Sequence, residues 1–499
     1  MFYVFPMATT IIGLDTGTTG VTALLYSVDR SSGLKPLLRS YREFPQHFPK
    51  PGWVEHHAAD ILGAVDEVLA ELLNDPRASN VVGLGVTNQR ETVFAMDRSE
   101  KGRALAPGIV WQDRRTDERC RQLASESGRA TWIRERTGLV IDPYFSASKI
   151  EWLLLNVPGL STRAHRGEVV FGTVDTLVLA HLTEGRMFAT DPTNASRTML
   201  FDIHRREWDG ELCDLFGVDP QWLPEVRNSR GAFGQTSTEV VGRKIPILAV
   251  MGDQQAALFG QGATEPGSLK CTFGTGIFLL FNHGESSPQL SGSGLLATLA
   301  VGPQGQSVYA LEGSIFMGGA IIQWLRDELG ILNSSEESEE VAAGVPDTGG
   351  VTLVPAFTGL GAPYWDAEAR AAILGLSRGS NRAHIVRAGL EAIALQTAEL
   401  IELLRQETGH EIKSMRVDGG ATSNNLLMQM QADLACLLVE RPESIEATAR
   451  GAALLAAVEL GLVSQGAAPQ VERTFVPNQS VSQATQLAKW RAAVARIRS

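Results

Sequence analysis

The segment DTGTTG at residues 15–20 combines an acid, three threonines and two glycines between two apolar runs, each of which is predicted to be a buried strand. Gly17 would let the backbone approach an anion, while backbone N–H groups and the hydroxyls of Thr18 and Thr19 donate to it. The alternative is an ordinary hairpin with hydroxyl-bearing turn residues. The segment is not a P-loop, because the GxxxxGK[ST] spacing is absent and a strand follows it.

A similar Gly-Thr-Gly segment recurs at 274–276, again between two apolar runs. A third segment, 415–434, runs from a strand through Asp-Gly-Gly into a helix, which suits a backbone that approaches a flat ligand such as adenosine. Its alternative is a strand-to-helix turn capped by Thr422 or Ser423. Together the three segments resemble the actin-type ATPase plan of two phosphate turns and an adenosine turn. ATPases, chaperones and sugar kinases share that plan, so it does not decide the function.

Two polar clusters could bind a hydroxylated ligand. Arg90 and Glu91 occupy a turn between two apolar strands, where they offer hydrogen-bond donors and an acceptor. The alternative for this pair is a surface turn with a weak ion pair. Asp253 and Gln254 follow a strand and begin a helix, so Asp253 also stands where a helix N-cap would be expected.

These clusters need a framework of strands and helices, and the apolar patterns predict one. Strand candidates alternate with helical stripes such as Ile61, Val65 and Leu69, so an α/β architecture is expected. A Gly- and Pro-rich stretch at 259–270 interrupts the helical pattern and is interpreted as a domain joint. The acidic run at 333–340 is interpreted as a solvated helix face or loop, with no function assigned.

The chain has 499 residues, enough for two or more domains with substantial cores. The predicted division is an N-terminal extension at 1–10, a first domain at 11–260 and a second at 261–499. A net charge of −12 argues against a nucleic-acid partner. The four cysteines are far apart and form no CxxC pair, which fits a reducing cytoplasm and suggests neither a zinc site nor a disulfide framework. No run approaches the length of a membrane span.

Six blocks carry a resemblance to a known family: TNQRET (87–92), VWQDRRT (110–116), PYFSASKIEW (143–152), GDQQAALFGQ (252–261), FGTGIF (273–278) and GLGAPYWDAEAR (359–370). Together they are similar to the FGGY carbohydrate kinases, within that family to the members that phosphorylate glycerol. The match extends from about Ile11 to about Leu460. The resemblance implies two actin-like (ribonuclease H-like) domains flanking a nucleotide and substrate cleft. It also implies transfer of phosphate from ATP to glycerol, with Mg²⁺, in glycerol catabolism.

The resemblance further implies which residues bind the substrate. Those that match the contacts to the glycerol hydroxyls are Arg90, Glu91, Tyr144, Asp253 and Gln254. Trp111 and Phe278 match the apolar walls along the carbon chain. Asp253 is expected to be the general base that takes the proton from the attacking primary hydroxyl.

The nucleotide contacts are implied in the same way. Asp15 is expected to help hold Mg²⁺ through water. The residues that match the nucleotide-binding positions are Thr18, Thr19, Gly20, Thr22 and Thr275 near the phosphates, and Gly319, Gln323, Gly420 and Asn424 nearer the nucleoside. A homo-oligomer, either a dimer or a tetramer, is also expected.

The first glycine-containing segment departs from the family pattern, which is close to DQGTTSSR. Thr16 replaces a glutamine, Gly20 and Val21 replace two serines, and Thr22 replaces the arginine that reaches the nucleotide phosphates. The segment EVVGRKIP (239–246) is short and has one glycine, so inhibition by fructose 1,6-bisphosphate is not expected.

Two other functions stay open. The nearer one is an FGGY kinase for another polyol or a ketose, against which the Arg90–Glu91 pair and the GDQQ block argue. The more distant one is an actin-like, ATP-driven interaction protein without a small acceptor.

Overall fold

The structure is a computed structural model that describes residues 9–29, 33–290, 292, 294–443, 446–463, 468–478 and 482–498. Nearly all of the extension expected at residues 1–10 therefore lies outside the described residues. The chain divides into two compact units of three segments each: Met1–Thr264, Ala297–Tyr309 and Ala447–Ala468 in unit 1, and Glu265–Leu296, Ala310–Glu446 and Pro469–Ser499 in unit 2.

The described residues form strands and helices that alternate along the chain, as predicted. The strands are β1 (Thr10–Thr16), β2 (Gly20–Asp29), β3 (Gly33–Glu43), β4 (Glu55–His56), β5 (Val81–Asn88), β6 (Val93–Asp97), β7 (Gly108–Ile109), β8 (Val169–Thr173), β9 (Ala189–Thr190), β10 (Phe201–Asp202), β11 (Glu207–Trp208), β12 (Glu225–Val226), β13 (Ile247–Gly252), β14 (Leu269–Phe273), β15 (Ile277–Gly284), β16 (Leu296–Val301), β17 (Ser307–Ile315), β18 (Thr352–Val354), β19 (Ala372–Leu374), β20 (Ser414–Asp418), β21 (Leu438–Pro442) and β22 (Val471–Phe475).

The helices are α1 (Ala58–Asn74), α2 (Asp117–Ser125), α3 (Arg129–Thr137), α4 (Ser146–Asn156), α5 (Leu160–His165), α6 (Val174–Leu182), α7 (Pro192–Ala195), α8 (Gly210–Leu215), α9 (Thr238–Val241), α10 (Asp253–Gly260), α11 (Ala320–Asp327), α12 (Glu337–Ala343), α13 (Arg382–Thr408), α14 (Asn425–Ala435), α15 (Ala447–Glu459) and α16 (Gln483–Val494). Three short 3₁₀ helices cover Pro76–Ala78, Pro220–Trp222 and Gly420–Ser423. Among the described helices, none combines the length and the apolar character that crossing a membrane requires.

Unit 1 is built on a five-stranded sheet in the order β13-β5-β1-β2-β3. β13, β5 and β1 are parallel, whereas β1, β2 and β3 are antiparallel. Because successive side chains of a strand point to opposite faces, Ile12 and Leu14 pack in a core with α1, while Ile11 packs in a second core with α10 and α15. The carboxyl ends of the three parallel strands lie at one edge of the sheet, and polar residues follow two of them.

Helix α15 belongs to unit 1 although it lies far along the chain, and glycines allow it to approach the sheet closely. A Cβ atom on Gly13 of β1 would lie 2.0 Å from the Ala449 carbonyl oxygen, and one on Gly85 of β5 would lie 2.0 Å from the Ala452 carbonyl oxygen. Any larger residue at either strand position would push the helix away. The close packing brings the first turn of α15 beside Asp15 at the end of β1.

Unit 2 contains a sheet in which β15, β14, β20, β21 and β22 are neighbours in that order. β14 and β15 are antiparallel and joined by Gly274–Gly276, whereas β14, β20 and β21 are parallel. The long helix α13 begins with a capping box at Asn381 and packs against α14. The two predicted glycine-containing turns are thus both confirmed as short connections between antiparallel strands.

Candidate functional site

The predicted substrate residues of unit 1 gather at the carboxyl ends of β5 and β13. Arg90 follows β5 and is buried, and its Nε lies 3.3 Å from Oδ1 of Asp253 and 3.8 Å from Oε1 of Glu91. β5 and β13 are neighbouring parallel strands, so the residues that follow them necessarily lie side by side. The pairing of β5 with β13 therefore brings Arg90 and Asp253 together although they are far apart in the sequence.

The Glu91 carboxylate is held in one position by distant residues. The Glu91 backbone is left-handed, with a φ of 60°, and the Ser146 hydroxyl donates to the Glu91 carbonyl oxygen over 2.9 Å. Nε of the fully buried Arg197 donates to Glu91 Oε1 over 2.7 Å. A non-glycine residue in this conformation costs roughly 1–3 kcal/mol, which is typical of sites where a side chain must point in one direction. The sequence patterns did not indicate Arg197.

Asp253 is the first residue of α10 and not its N-cap, which is Gly252. Its Oδ1 accepts a hydrogen bond from the N–H of the next residue, Gln254, over 2.7 Å, and its side chain keeps 25% of its surface exposed. Gln254 itself is buried. The capping interpretation of Asp253 is thus wrong, and the carboxylate is reachable by a ligand.

Two aromatic predicted substrate residues are in contact. The rings of Trp111 and Tyr144 meet edge to face with centroids 5.6 Å apart, and the Trp111 indole N–H donates to the Thr18 hydroxyl over 3.0 Å. The Arg197 guanidinium lies 5.6 Å from the centre of the Tyr144 ring. A continuous series of contacts therefore runs through unit 1 from Asp253 to Thr18 in the first glycine-containing loop.

Lys149 fixes the backbone around Tyr144 and was missed by the sequence patterns. Its ammonium group is fully buried and donates to the carbonyl oxygens of Pro143, Tyr144 and Phe145. Burial lowers the pKa of Lys149 to about 8. The side chain lies one turn into α4, so it holds the segment leading into that helix.

Residues 16–20, the first glycine loop, have all their carbonyl oxygens occupied. From residue 16 to residue 20 the donors are the Gln89 N–H (2.8 Å), the Gln89 side-chain amide (2.9 Å), the Gln46 side-chain amide (2.9 Å), the Phe44 N–H (3.2 Å) and the Gly17 N–H (2.9 Å). In the part of the chain that the structure describes, the N–H groups of Thr18 and Thr19 donate to no protein acceptor. Free N–H groups beside two hydroxyls are what an anion requires.

His56 joins the two glutamines that hold this loop. Its Nε2 lies 2.8 Å from Gln46 Oε1, and its Nδ1 lies 3.3 Å from Gln89 Nε2. Burial lowers the pKa of His56 to about 4, so the imidazole is neutral at pH 7, donating through Nε2 and accepting through Nδ1. We call Gln46, His56 and Gln89 the loop clamp. Its members come from three separate segments, so no single motif revealed it.

Asp15 and Thr22 stand directly opposite each other on β1 and β2, and their side chains share one face of the sheet. Oδ2 of Asp15 accepts a hydrogen bond from the Thr448 hydroxyl over 2.5 Å. The carboxylate and the hydroxyl are hard oxygen donors of the kind that Mg²⁺ prefers. This donor set therefore fits a magnesium site.

The five remaining predicted nucleotide residues line a single cavity of about 570 Å³ within unit 2. These residues are Thr275, Gly319, Gln323, Gly420 and Asn424. Apolar side chains such as Ile322, Leu390 and Leu427 complete its wall, so the cavity combines apolar surface with a few polar groups, as small-ligand pockets do.

Close backbone contacts shape the cavity beside the second Gly-Thr-Gly segment. The Gly319 N–H donates to the Gly274 carbonyl oxygen over 2.8 Å, and a Cβ atom on Gly319 would lie only 2.9 Å from that oxygen. Helix α14 is capped by Asn424, whose Oδ1 accepts from the Leu427 N–H over 2.9 Å. The expected caps Thr422 and Ser423 are wrong, because both lie in the preceding 3₁₀ helix.

The acidic run has a place in this cavity that its sequence did not suggest. Ser335, Glu336, Ser338 and Glu339 all line the wall, and the Asn424 side-chain amide donates to the Ser338 hydroxyl over 3.3 Å. Phe278 lies on β15 opposite Thr272, also in unit 2, and is half-buried.

Comparison with known proteins agrees with this geometry. The FGGY carbohydrate kinase N-terminal domain matches residues 10–260, and the C-terminal domain of the same family matches residues 269–460. The chain belongs to the FGGY family of carbohydrate kinases. The alternative of an actin-like interaction protein is thereby replaced by a kinase of known family.

Several relatives that match along nearly their whole length are glycerol kinases. The protein from Halorhodospira halophila is 50% identical over 493 residues, covering 97% of this chain and 96% of that protein. The protein from Aromatoleum aromaticum is 49% identical over 495 residues, covering 98% of each. Glycerol kinase from Plasmodium falciparum, solved with ADP, superposes with a TM-score of 0.90 at 32% identity over 98% of both chains. Gluconate kinase from Lactobacillus acidophilus shares the fold, with a TM-score of 0.86 at 20% identity over 98% of this chain and 97% of that one.

Proposed function

We propose that this FGGY kinase transfers the terminal phosphoryl group of ATP to glycerol, giving sn-glycerol 3-phosphate and ADP. The observation that carries the proposal is the series of contacts in unit 1 that links Asp253, through Arg90 and Glu91, to aromatic side chains and Thr18. The full-length similarity to glycerol kinases supports the same acceptor.

The substrate contacts suit a small triol. Arg90 donates hydrogen bonds, the Glu91 carboxylate accepts them, and Tyr144 and Gln254 do both. Trp111 offers an aromatic face to the carbon chain, and Phe278 is proposed as the second apolar wall. Because Arg197 and Ser146 fix Glu91, its carboxylate is available in one orientation before the substrate binds, which reduces the entropy lost on binding.

Asp253 is proposed as the general base. Its carboxylate takes the proton of the attacking primary hydroxyl as that oxygen forms a bond to the terminal phosphorus and the bond to the ADP oxygen breaks. The Arg90 guanidinium, whose Nε lies 3.3 Å from Oδ1 of Asp253, restricts the position of the carboxylate.

The nucleotide is assigned to two sets of residues. In unit 1 the free N–H groups and hydroxyls of Thr18 and Thr19 bind phosphate oxygens, with Gly20 and Thr22 in the same loop region. In unit 2 the cavity lined by Thr275, Gly319, Gln323, Gly420 and Asn424 binds the remainder of the nucleotide.

Asp15, supported by Thr448, would hold Mg²⁺ through water. When bound, the ion would neutralise charge on the phosphate oxygens. We also propose that the enzyme works in the cytoplasm, where ATP is supplied, and as a homo-oligomer.

A kinase for another polyol or a ketose is the competing function. The test is a coupled assay of ADP formation with glycerol, erythritol, xylitol, D-xylulose, D-gluconate or no acceptor. We expect kcat/KM for glycerol to exceed every other value by about 10²-fold or more. The product should be identified by NMR as sn-glycerol 3-phosphate. A faster ketose reaction, or ADP release that no acceptor changes, would refute the proposal.

A further inference from the structure

A cluster of two histidines and one aspartate lies in unit 1 outside the substrate residues. Nε2 of His47 lies 3.0 Å from Oδ2 of Asp60, and Nδ1 of His57 lies 3.9 Å from the same oxygen. The three donor atoms all fall within 4.8 Å of one another. Two ligands on one tetrahedral zinc ion are about 3.3 Å apart, as follows from metal–ligand distances near 2.0–2.1 Å. Rotation of the two imidazole rings out of their stacked arrangement would bring all three atoms onto one ion.

The backbone holds the three residues together before any ion binds. His47 and Glu55 exchange two backbone hydrogen bonds, of 3.2 and 2.9 Å, which place His47 beside the start of α1. His57 immediately precedes α1 and Asp60 lies in its first turn. The imidazole rings of His47 and His57 are stacked with their centroids 3.9 Å apart. The cluster thus joins a loop to a helix, and backbone hydrogen bonds hold both parts in place.

The chemistry of the cluster selects a class of ion. Two imidazoles and a carboxylate suit zinc and other late first-row metals, whereas magnesium and calcium prefer oxygen ligands alone. The side chains are 32%, 48% and 30% exposed for His47, His57 and Asp60, so an ion can reach them and a water molecule can complete the coordination.

We propose that His47, His57 and Asp60 bind a divalent transition-metal ion, with Zn²⁺ as its representative. The site is separate from the one proposed for Mg²⁺ at Asp15. It adjoins the loop clamp, since His47 follows Gln46 and His57 follows His56 in the chain. A bound ion would restrain the segments that carry these two clamp residues.

Equilibrium dialysis of the full chain against Zn²⁺ in excess Mg²⁺, with zinc quantified by mass spectrometry, tests the proposal. We expect the parent to bind one Zn²⁺ per chain. His57→Asn and Asp60→Asn should each raise the dissociation constant for Zn²⁺ at least about tenfold. The control His165→Asn, which removes another exposed histidine, should bind as the parent does.

X-ray absorption at the zinc edge and thermal unfolding supply independent readouts. We expect only nitrogen and oxygen ligands, and a zinc-dependent rise in Tm that both variants lose. An unchanged zinc stoichiometry in both variants, an equal loss in the His165→Asn control, or sulfur ligands in the absorption spectrum would overturn the proposal. None of these measurements depends on kinase activity, so failure here is distinguishable from failure of the proposed function.

Discussion

At the scale of single residues, Asp253 separates a catalytic role from a structural one. Because Gly252 is the helix cap and the buried Arg90 keeps Glu91 as a charged neighbour, Asp253→Asn should leave the protein folded with only a small change in Tm. Loss of the general base should lower kcat by about 10²-fold or more. Steady-state kinetics and thermal unfolding measure the two effects.

The matched control for this change is Asp214→Asn, which neutralises an exposed aspartate of the same unit on α8. We expect that variant to keep the parent kcat and Tm. Near-normal turnover of Asp253→Asn would rule out the assignment of the base, and a large fall in Tm would mean that Asp253 has a structural role.

Thr22 provides a second residue-scale prediction, because it stands opposite Asp15 on the same face of the sheet. The resemblance to the FGGY kinases implies an arginine at this position, and a charge-assisted contact to phosphate contributes roughly 1.5–3 kcal/mol. We therefore expect Thr22→Arg to lower the KM for MgATP by a few-fold to about a hundredfold. The KM for glycerol should stay nearly constant.

The control for the charge is Thr22→Gln, which adds length and hydrogen bonds but no cation, and it should change the KM for MgATP much less than Thr22→Arg does. If the glycerol constant moves while the ATP constant does not, residue 22 does not face the nucleotide.

At the scale of secondary structure elements, short-range patterns predicted most of what the structure contains. Apolar runs predicted β1 and β2, the four-residue repeat predicted α1, and the glycines predicted the tight turn at 16–20. These features depend on neighbouring residues, so a single sequence carries them. The predicted cap of α14 was wrong because each of the consecutive residues Thr422 to Asn424 has a side chain that can cap a helix.

The residues that hold the site in place could not be predicted in the same way. Arg197 reaches Glu91 from more than a hundred positions away, and His56 meets Gln89 across several elements. Their contacts follow from the order of strands in the sheet, which periodicity does not reveal. The family resemblance indicated the residues expected to contact the ligand. It did not indicate the residues that hold those side chains in place.

The loop clamp yields the element-scale prediction. Gln46→Leu removes the donor to the Thr18 carbonyl oxygen and the acceptor for His56, while keeping similar volume. Loss of one or two such hydrogen bonds costs about 1–3 kcal/mol. If the lost hydrogen bonds destabilise the loop conformation that binds the nucleotide by this amount, the KM for MgATP should rise roughly 5- to 150-fold. Steady-state kinetics with each substrate varied in turn provides the measurement.

The KM for glycerol should change little in Gln46→Leu, and Gln122→Leu, an exposed glutamine on α2, should behave as the parent. Equal rises in both Michaelis constants would show that the clamp supports the whole site and not the loop in particular.

At the scale of the whole molecule, alternating strands and helices predicted the α/β class, but not which segments build each unit. Helix α15 reads from its sequence only as an apolar helix, yet it packs on the sheet of unit 1. Gly13 and Gly85 determine that position, because any larger side chain would meet the helix backbone. The position of α15 therefore depends on steric exclusion between segments far apart in the chain, which the pattern of residues along the sequence does not show.

Global stability should carry the signature of one buried acid, Asp175. The carboxylate is fully buried and accepts hydrogen bonds from the hydroxyls of Thr173 and Thr190, yet burial raises its pKa from 3.8 to about 6. The folded state therefore binds this proton more tightly than the unfolded state does. Its contribution to stability is fully present below pH 3.8 and is lost as pH rises through about 6.

Asp175→Asn keeps the shape of the side chain and removes the titration. The pKa difference corresponds to about 3 kcal/mol, so the stability of the variant relative to the parent should improve by up to about that amount between pH 4 and pH 8. Urea unfolding of both proteins across this range measures the difference, with Asp214→Asn as the exposed control that should run parallel to the parent. The sign is decisive, because a carboxylate stabilised in its charged form would make the relative stability of Asp175→Asn worsen as pH rises. Parallel curves for Asp175→Asn and the parent would mean that the folded protein does not raise the pKa of this buried acid.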